Sequence, residues 1–246
     1  MRQKTDYYNR DKWESRQKHL YHREKIALNL MLPFLNKNSN FLDVGCSDCT
    51  FLHELSHKKL TNNLFGIDGS EFQLKKAKIK NPSFHLKKGD LEEQWPFSEN
   101  SFDFIYGAEI IEHVHSPDFF LSESNRILKK GGYIVLSTPN LCAWFNRLIF
   151  PLGFQPFFYE TSTKSKLIGS GIFKKLKGGE TPVGHIRVFN IDAIKDLLTD
   201  NNFEILVIKG TIFDSGFPKW LLPIDTIFTL LPSLSTGFVI LAKKIK

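Results

Sequence analysis

Cysteine and long apolar runs are scarce in this sequence of 246 residues. The three cysteines are too few, and odd in number, for a disulfide framework, and such sparse use of cysteine is typical of a reducing compartment. The first 25 residues are charged and lack the apolar core of a secretory signal. We therefore expect a cytoplasmic protein, and the length fits one α/β domain with additions.

One segment, 220–242, is apolar enough to need a separate argument, because Asp225 is its only charged residue. Its length approaches the roughly 20 residues that cross a bilayer. However, Pro223, Pro232 and Gly237 interrupt it, and its last part alternates like a strand. This pattern argues against a membrane span, and it leaves peripheral contact with a membrane surface as an expectation.

The charge balance is modestly basic, with 33 Lys plus Arg against 26 Asp plus Glu and a net charge of +7. An excess of this sign favours anionic partners such as phosphates, nucleotide-linked sugars or anionic lipid headgroups, although solubility alone would explain it equally well. No recognised nucleic-acid motif accompanies the charge, so a nucleic-acid partner is not expected.

From residue 40 onward, strand-like and helix-like segments alternate, after a helical segment at 11–35. Alternation of this kind implies a mainly parallel sheet with helices on both faces. A helix over 118–128 is expected to end at Gly131-Gly132. The remaining predicted helices cover 50–57, 70–80 and 190–201, and the predicted strands cover 40–46, 64–68, 83–87, 102–107, 133–138, 203–212 and 237–245.

Four stretches organise the chain. Residues 1–39 form an N-terminal helical cap, 40–140 an α/β core, 141–187 an insertion that resembles a lid, and 188–246 a last helix and two strands that complete the same domain. The insertion is rich in aromatic, glycine and lysine residues. Together with Tyr7, Tyr8 and Trp13 its aromatic rings are suited to an apolar substrate pocket, or alternatively to a second small core under a long loop.

The first strand of the core ends in the tight turn VGCSDCT, which opens a helix. A turn of this kind lets a ligand approach the backbone, and the helix N-terminus attracts negative charge. Asp68 ends the next strand 23 residues after Gly45, close to the spacing of about 20 at which a carboxylate binds ribose hydroxyls. A carboxylate suits this role because it accepts two hydrogen bonds from a vicinal diol.

Five motifs then follow in order: LDVGCSDC, FGIDGS, KGDLE, SFDFIYGAEIIEHV and RILKKGGYIVLSTPN. With GHIRVFN further on, this succession resembles the class I S-adenosylmethionine-dependent methyltransferases. It is most similar to the small-molecule branch that includes ubiquinone-biosynthesis O-methyltransferases and methyltransferases of glycan pathways. The resemblance implies a Rossmann-like, seven-stranded, mostly parallel sheet with an antiparallel last strand. It also implies methyl transfer from S-adenosylmethionine to a small-molecule, glycan-linked or lipid-linked acceptor, with oxygen expected as the methylated atom ahead of nitrogen or carbon.

The resemblance also assigns a cofactor role to particular residues. Asp43 and Gly45 would line the methionine end, Asp68 would bind the ribose, and Ala108 and Glu109 would lie beside the sulfonium. The full set implied for the cofactor is Asp43, Gly45, Ser47, Asp68, Gly69, Asp90, Leu91, Ala108 and Glu109. This chain departs from the family where Ser47 and Cys49 replace glycines in the turn. Because positive φ is costly for such residues, the departure leaves open an inactive cofactor-binding or scaffold domain.

Glu109, Glu112 and His113 are spaced to share one face of a helical turn. Ubiquinone-pathway enzymes contain a pattern that resembles this E-x-x-E-H and can bind magnesium there. These three residues are therefore the candidate metal ligands. In the alternative interpretation, Glu109 contacts the cofactor while His113 makes a local packing hydrogen bond.

The candidate catalytic residues are His185, His113 and Glu109, with His185 placed as the base that removes a hydroxyl proton. His113 and His115 are rival bases. Arg187 and Tyr159 are the candidate substrate-binding residues, Arg187 through an anionic group of the substrate. A structural His185–Arg187 pair that ties the insertion down is the alternative.

Three other functions remain open. The pair Cys46-x-x-Cys49 is compatible with redox or zinc chemistry, but the sequence holds no second C-x-x-C. The lysines and aromatic rings of the insertion are compatible with RNA methylation. The acidic end of the second strand also suits NAD, although the later motifs and the final strand pair argue against a nicotinamide-dependent oxidoreductase.

Overall fold

A central sheet of seven strands organises the computed structural model, which describes residues 20–213 and 217–246. The strands are β1 (Asn40–Val44), β2 (Asn63–Asp68), β3 (His85–Lys88), β4 (Phe102–Ala108), β5 (Leu128–Pro139), β6 (Phe203–Thr211) and β7 (Gly237–Lys244). Their order is β3-β2-β1-β4-β5-β7-β6, and β7 runs antiparallel to both of its neighbours. The predicted seven-stranded, mostly parallel sheet with an antiparallel last strand is confirmed.

The helices are α1 (His22–Met31), α2 (Thr50–His57), α3 (Glu71–Lys80), α4 (Pro117–Ile127), α5 (Trp144–Ile149), α6 (Ile191–Asp200) and α7 (Leu222–Phe228). Five helices lie within or close to predicted helical segments, whereas α5 and α7 fall where no helix was predicted. Three of the helices begin at residues whose side chains accept a hydrogen bond from the first helical turn: Ser70 at α3, Ser116 at α4 and Asn190 at α6. These caps satisfy backbone donors that the helix leaves free, which fixes where each helix starts.

Two apolar layers hold these helices against the sheet. On one face, α1, α2 and α3 pack on side chains such as Phe41 and Phe104, and on the other face α4 and α6 pack on side chains such as Leu42 and Ile105. Phe41 and Leu42 are adjacent in β1 and point to opposite faces, as the pleat of a strand requires. Helices on both faces are therefore confirmed.

Two local predictions were wrong or incomplete. The helix predicted to stop at Gly131-Gly132 ends at Ile127, because β5 already begins at Leu128, which pairs with Phe102 of β4. The two glycines lie inside β5, where a Cβ on Gly132 would come within 2.9 Å of the Lys129 carbonyl oxygen. Within the described residues, the helix predicted over 11–35 is represented by α1, which contains Ala27 and packs on the sheet.

Some predictions fall outside the described residues. Tyr7, Tyr8, Trp13 and the first part of the predicted N-terminal helix belong to residues 1–19. Within the described residues, no helix combines the length and the apolar character needed to cross a bilayer. The apolar stretch 220–242 instead contains α7 and most of β7.

The insertion at 141–187 contains α5 and two short 3₁₀ turns, Phe150–Leu152 and Gly171–Lys177. Its aromatic residues form a small core of their own around Phe145 and Phe157. The insertion begins directly after β5, so its residues lie at the carboxyl end of the sheet. Part of its aromatic surface is consequently core, as the alternative interpretation expected, and part lines the cavity described below.

Candidate functional site

A cavity of about 460 Å³ opens at the carboxyl ends of β1, β2 and β4, between the sheet and the insertion. The strand order reverses between β1 and β4, and ligands of open α/β sheets bind at such a switch point. The cavity wall includes two main sets of residues, together with others such as Tyr21, Arg23 and Phe213. The sheet contributes Gly45, Ser47, Asp68, Ala108, Glu109 and Glu112, and the insertion contributes Phe157, Phe158, Tyr159, Glu160, Lys166, Lys177 and His185.

The turn after β1 adopts the conformations that glycines would provide, although only Gly45 is a glycine. Gly45 has φ +73°, and a Cβ there would lie 2.7 Å from Ile110 Cδ1. Ser47 and Cys49 have φ 47° and 61°, both in the left-handed region. The two substitutions that set this chain apart thus keep the shape of the turn, at a cost of about 1–2 kcal/mol per residue.

Asp68 ties this turn to the end of β2. One carboxylate oxygen accepts the backbone N–H of Ser47 at 2.8 Å, and the other accepts the N–H of Ser70 at 2.7 Å. The carboxylate lies in the cavity wall. Two anchors fix its position, so Asp68 presents a rigid acceptor to any ligand that fills the cavity.

The predicted cofactor residues divide into two groups. Gly45, Ser47, Asp68, Ala108 and Glu109 line the cavity. The remaining four do not belong to its lining: Asp43, Gly69, Asp90 and Leu91. Asp43 is buried within β1. Asp90 is exposed, and its carboxylate accepts a hydrogen bond from the backbone N–H of Glu92.

Cys46 and Cys49 are buried beside the turn and form no disulfide. A hydrogen bond from its own S–H to the Cys49 side chain, together with burial, raises the pKa of the Cys46 thiol well above its ordinary value. A thiol that keeps its proton is a poor metal ligand and a poor nucleophile. This pair therefore serves packing, and its environment opposes redox or zinc chemistry.

Three ionisable side chains converge at the centre of the cavity wall. Glu112, His113 and His185 each offer a ligand atom within 4.8 Å of the others. Glu112 is 0% exposed, and one of its oxygens accepts the Thr138 hydroxyl at 3.0 Å. Its other oxygen accepts no hydrogen bond from any described residue. Burial, followed by the nearby charge of Glu109, raises the pKa of this carboxyl well above its ordinary value.

Backbone carbonyls orient both imidazole rings. His113 Nδ1 lies 3.0 Å from the Gly184 carbonyl oxygen, and His185 Nδ1 lies 2.8 Å from that of Phe158. A carbonyl can only accept, so each Nδ1 carries a proton, and in a neutral ring Nε2 keeps a lone pair. Burial, followed by the charge of His185, lowers the pKa of His113 from 6.5 to about 4. His113 is therefore neutral at pH 7.

Glu109 lies apart from this cluster. The helical turn predicted over 109–113 is limited to a 3₁₀ turn at Ile111–His113, and Glu109 precedes it with φ 53°. Its carboxylate accepts the Ser137 hydroxyl at 2.9 Å and lies 3.8 Å from Arg23. The shared helical face predicted for Glu109, Glu112 and His113 is therefore wrong, because positive φ at Glu109 turns its side chain toward β5.

His185 is drawn into the cluster by Glu160, which the sequence did not single out. The Glu160 carboxylate accepts the backbone N–H groups of Val183 and Gly184 at 2.8 Å and that of His185 at 3.3 Å. These bonds hold the end of the insertion over the cavity. No pattern in the sequence marks an isolated glutamate for this role.

The two predicted substrate-binding residues have different surroundings. Tyr159 lines the cavity and is half exposed, as a residue at its mouth would be. Arg187 is exposed outside the lining, and its guanidinium donates to the His115 carbonyl oxygen at 2.8 and 3.1 Å. Lys166 and Lys177 are instead the basic residues that the insertion contributes to the wall.

Comparison with known proteins agrees with this architecture. A ubiquinone biosynthesis O-methyltransferase of Pelagibacter ubique is 33% identical over 111 residues, which cover 42% of this chain and 43% of that protein. A probable S-adenosylmethionine-dependent methyltransferase of Mycolicibacterium smegmatis is 30% identical over 162 residues, 65% of this chain and 51% of that protein. These matches span only about half of each relative.

The fold is shared with solved structures. An S-adenosylmethionine-dependent methyltransferase from Mesorhizobium loti aligns with a TM-score of 0.60 and 17% identity, over 90% of this chain and 98% of that one. At the level of sequence, the methyltransferase domain family matches residues 16–207, well over half of the chain. The chain belongs to the methyltransferase domain family.

Proposed function

We propose that this protein transfers the methyl group of S-adenosylmethionine to an oxygen of a small, glycan-linked or lipid-linked acceptor. The observation that carries the proposal is a single cavity whose wall joins the β1 turn and Asp68 to the His113–His185 pair. A donor at one end and an acceptor at the other would meet there without a domain movement. Alignment of this kind is the main task of the protein, because proximity supplies much of the rate.

The β1 end of the cavity suits the cofactor. When bound, S-adenosylmethionine supplies a methyl group on a positively charged sulfur, which is already an activated leaving group. Asp68 accepts the ribose hydroxyls, a role for which its fixed carboxylate is prepared. Glu109 contributes negative charge at the end of β4, where it favours a cation. Gly45 keeps its surface free of a side chain.

The insertion end suits the acceptor. His185 takes the hydroxyl proton through Nε2, since its Nδ1 is occupied by the Phe158 carbonyl. His113, with a pKa of about 4, holds a proton too weakly to act as the base and accepts a hydrogen bond instead. Closure of the insertion over the sheet keeps water from the reacting atoms.

The acceptor is an apolar or aromatic molecule that carries an anionic group. Phe157, Phe158 and Tyr159 give the wall its apolar surface. Lys166 and Lys177 add two ammonium groups, each of which uses one of its three donors on a backbone carbonyl of the insertion. The remaining donors are available to a carboxylate or phosphate of the acceptor. The two lysines thus take the anion-binding role that the sequence assigned to Arg187.

A divalent cation is a second candidate for the same cluster. Glu112, His113 and His185 would hold it, since two imidazole lone pairs and a carboxylate form a common ligand set for such ions. The carbonyls of Gly184 and Phe158 orient the rings as outer partners of metal-bound histidines do. A bound cation would lower the pKa of an acceptor hydroxyl. Methyltransferase activity that is unchanged by EDTA would reject the divalent cation.

The test begins with calorimetric titration of the protein with S-adenosylmethionine and, separately, with its demethylated product. We expect saturable binding that Asp68→Ala weakens by about tenfold or more, because a charged hydrogen-bond acceptor is lost. Asp192→Ala, at an exposed site on α6, is the matched control and should bind normally. No binding to the unaltered protein would contradict the proposal and favour the scaffold alternative.

Turnover is then measured as demethylated product formed with protocatechuate, a catechol with a carboxylate, and with its neutral methyl ester. We expect His185→Gln to lower turnover about 100-fold while cofactor affinity is unchanged, the usual scale for a general base. We expect Lys166→Gln with Lys177→Gln to raise KM for the acid alone. Full activity of His185→Gln would reject its role as base.

A further inference from the structure

Exposed apolar side chains are concentrated in two short segments, 148–172 and 220–231. Of the eighteen large hydrophobic residues that are exposed in the described part of the chain, ten belong to these segments and are not part of the cavity wall. They are Leu148, Phe150, Leu152, Ile168, Ile172, Trp220, Ile224, Ile227, Leu230 and Leu231. Scattered exposed hydrophobics are normal, but a concentration of this kind marks an interaction surface.

The two segments are neighbours in the fold. The Trp144 ring of α5 stacks on Phe228 of α7 with centroids 5.3 Å apart. The Arg147 guanidinium, one residue before Leu148, donates to the Ser233 carbonyl oxygen at 3.3 Å. The exposed residues of α5 and those of 227–231 therefore border one continuous surface, which we call the apolar face.

The charges around the apolar face are predominantly basic. The stretches 144–178 and 217–236 contain seven Lys and Arg residues but only two acidic ones, Glu160 and Asp225. Glu160 accepts three backbone N–H groups, and Asp225 is fully buried and accepts the Trp144 indole N–H at 2.9 Å. Exposed basic residues remain beside the apolar ones: Arg147, Lys164, Lys174, Lys175 and Lys219.

We propose that the apolar face docks on the surface of an anionic phospholipid membrane. Apolar side chains flanked by lysines are the combination that binds at such an interface, with the apolar residues in the acyl boundary and the lysines on lipid phosphates. A second copy of this chain fits less well, because a two-fold interface would bring the same basic residues together. This partner goes beyond the proposed methyl transfer.

The apolar face and the cavity share the insertion. Phe145, next to Trp144 in α5, packs on the cavity residue Phe157 with ring centroids 5.1 Å apart. Docking therefore places the acceptor end of the cavity next to the lipid surface. An acceptor with an apolar tail would enter from the membrane without crossing water.

Vesicle co-sedimentation of the full chain tests the proposal independently of any methyl transfer. Vesicles of phosphatidylcholine with one third phosphatidylglycerol are compared with vesicles of phosphatidylcholine alone. We expect binding to the anionic vesicles that weakens as salt is added, since added salt screens the lysines. We also expect Ile227→Glu with Leu230→Glu to reduce the bound fraction about tenfold or more, since both side chains are largely exposed at 64% and 80%.

The matched control is Ile79→Glu, because Ile79 is equally exposed at 82% but lies on α3, away from the apolar face. It should bind vesicles like the unaltered protein. A triple variant, Lys174→Gln with Lys175→Gln and Lys219→Gln, should lower binding to anionic vesicles. It leaves the apolar core unchanged, so it tests the proposal if the double glutamate variant does not fold. The proposal would be overturned if the unaltered protein did not bind vesicles, or if Ile79→Glu reduced vesicle binding as much as the double glutamate variant. It would also be overturned if the protein were a dimer that the double glutamate variant dissociates.

Discussion

At the scale of single residues, His113 lies in an environment that opposes its charged form. Its ring is held by the Gly184 carbonyl inside the cavity wall, and burial lowers its pKa from 6.5 to about 4. Between these two pH values the unfolded chain binds a proton that the folded protein does not. The free energy of unfolding therefore falls as the pH falls through that window, by at most about 3 kcal/mol.

We expect this loss to disappear when His113 is replaced by Gln. Between pH 7 and pH 4 the unaltered protein should lose about 2–3 kcal/mol more stability than the variant. Urea unfolding at several pH values, with EDTA present, gives the comparison. The raised pKa of Glu112 acts in the opposite direction but is common to both proteins, so it largely cancels. His57→Gln, at an exposed site on α2, is the control. Parallel pH profiles for all three proteins would contradict the assignment.

At the scale of elements, the β1–α2 turn stores backbone strain. Ser47 is partly exposed with φ 47°, whereas Cys49 has φ 61° but a fully buried side chain that is hydrogen-bonded to Cys46. Replacing each residue by glycine should therefore change the stability of the protein differently at the two positions, although their backbone conformations are alike. Glycine relieves strain at Ser47 without losing packing, but at Cys49 it would leave a cavity.

Ser47→Gly should stabilise the protein by about 1 kcal/mol, and Cys49→Gly should destabilise it. Ser47→Ala is the matched control, since it keeps the Cβ at positive φ and should bring no gain. Thermal unfolding of the three variants measures the effect. If Ser47→Gly is no more stable than Ser47→Ala, the turn is not strained in the way that its φ angles indicate.

At the scale of the whole molecule, Asp225 connects the insertion to the end of the sheet. This buried carboxylate accepts the indole N–H of Trp144, the backbone N–H of Phe213 at 2.7 Å and the hydroxyl of Thr236. The three donors belong to α5, to the chain after β6 and to the chain before β7. One side chain of α7 therefore joins segments that are far apart in sequence.

Asp225→Ala should cost about 3 kcal/mol, because three donors lose their buried acceptor together. Urea unfolding measures this loss, and hydrogen exchange should become faster in the insertion around Trp144. Asp192→Ala, which removes an exposed carboxylate from α6, should change neither quantity. A loss below about 1 kcal/mol would mean that water replaces the carboxylate and that the connection is dispensable.

Much of this protein was determined by the sequence alone, because the relevant signals are local. A strand needs only its own alternation of apolar residues, and a helix only its caps, so the seven strands and most helices were predicted within a few residues. The β1 turn and Asp68 were predicted from their positions at the ends of two consecutive strands, since parallel strands bring their carboxyl ends to one edge of the sheet. Gly131-Gly132 was misread because a glycine pair can end a helix or bend a strand, and the pairing of Leu128 with Phe102 decided between them.

Only the tertiary structure decided which side chains meet across the cavity. His185 lies 72 residues after His113 in the sequence, and Glu160 fixes its position through backbone bonds that no residue pattern encodes. Glu109 left the predicted cluster because one backbone angle turned it toward Ser137. The apolar stretch 220–242 was likewise divided by the fold, since β7 is buried between two strands while α7 borders the exposed apolar face. The physical reason is that packing between distant segments, rather than local preference, sets the direction of each side chain.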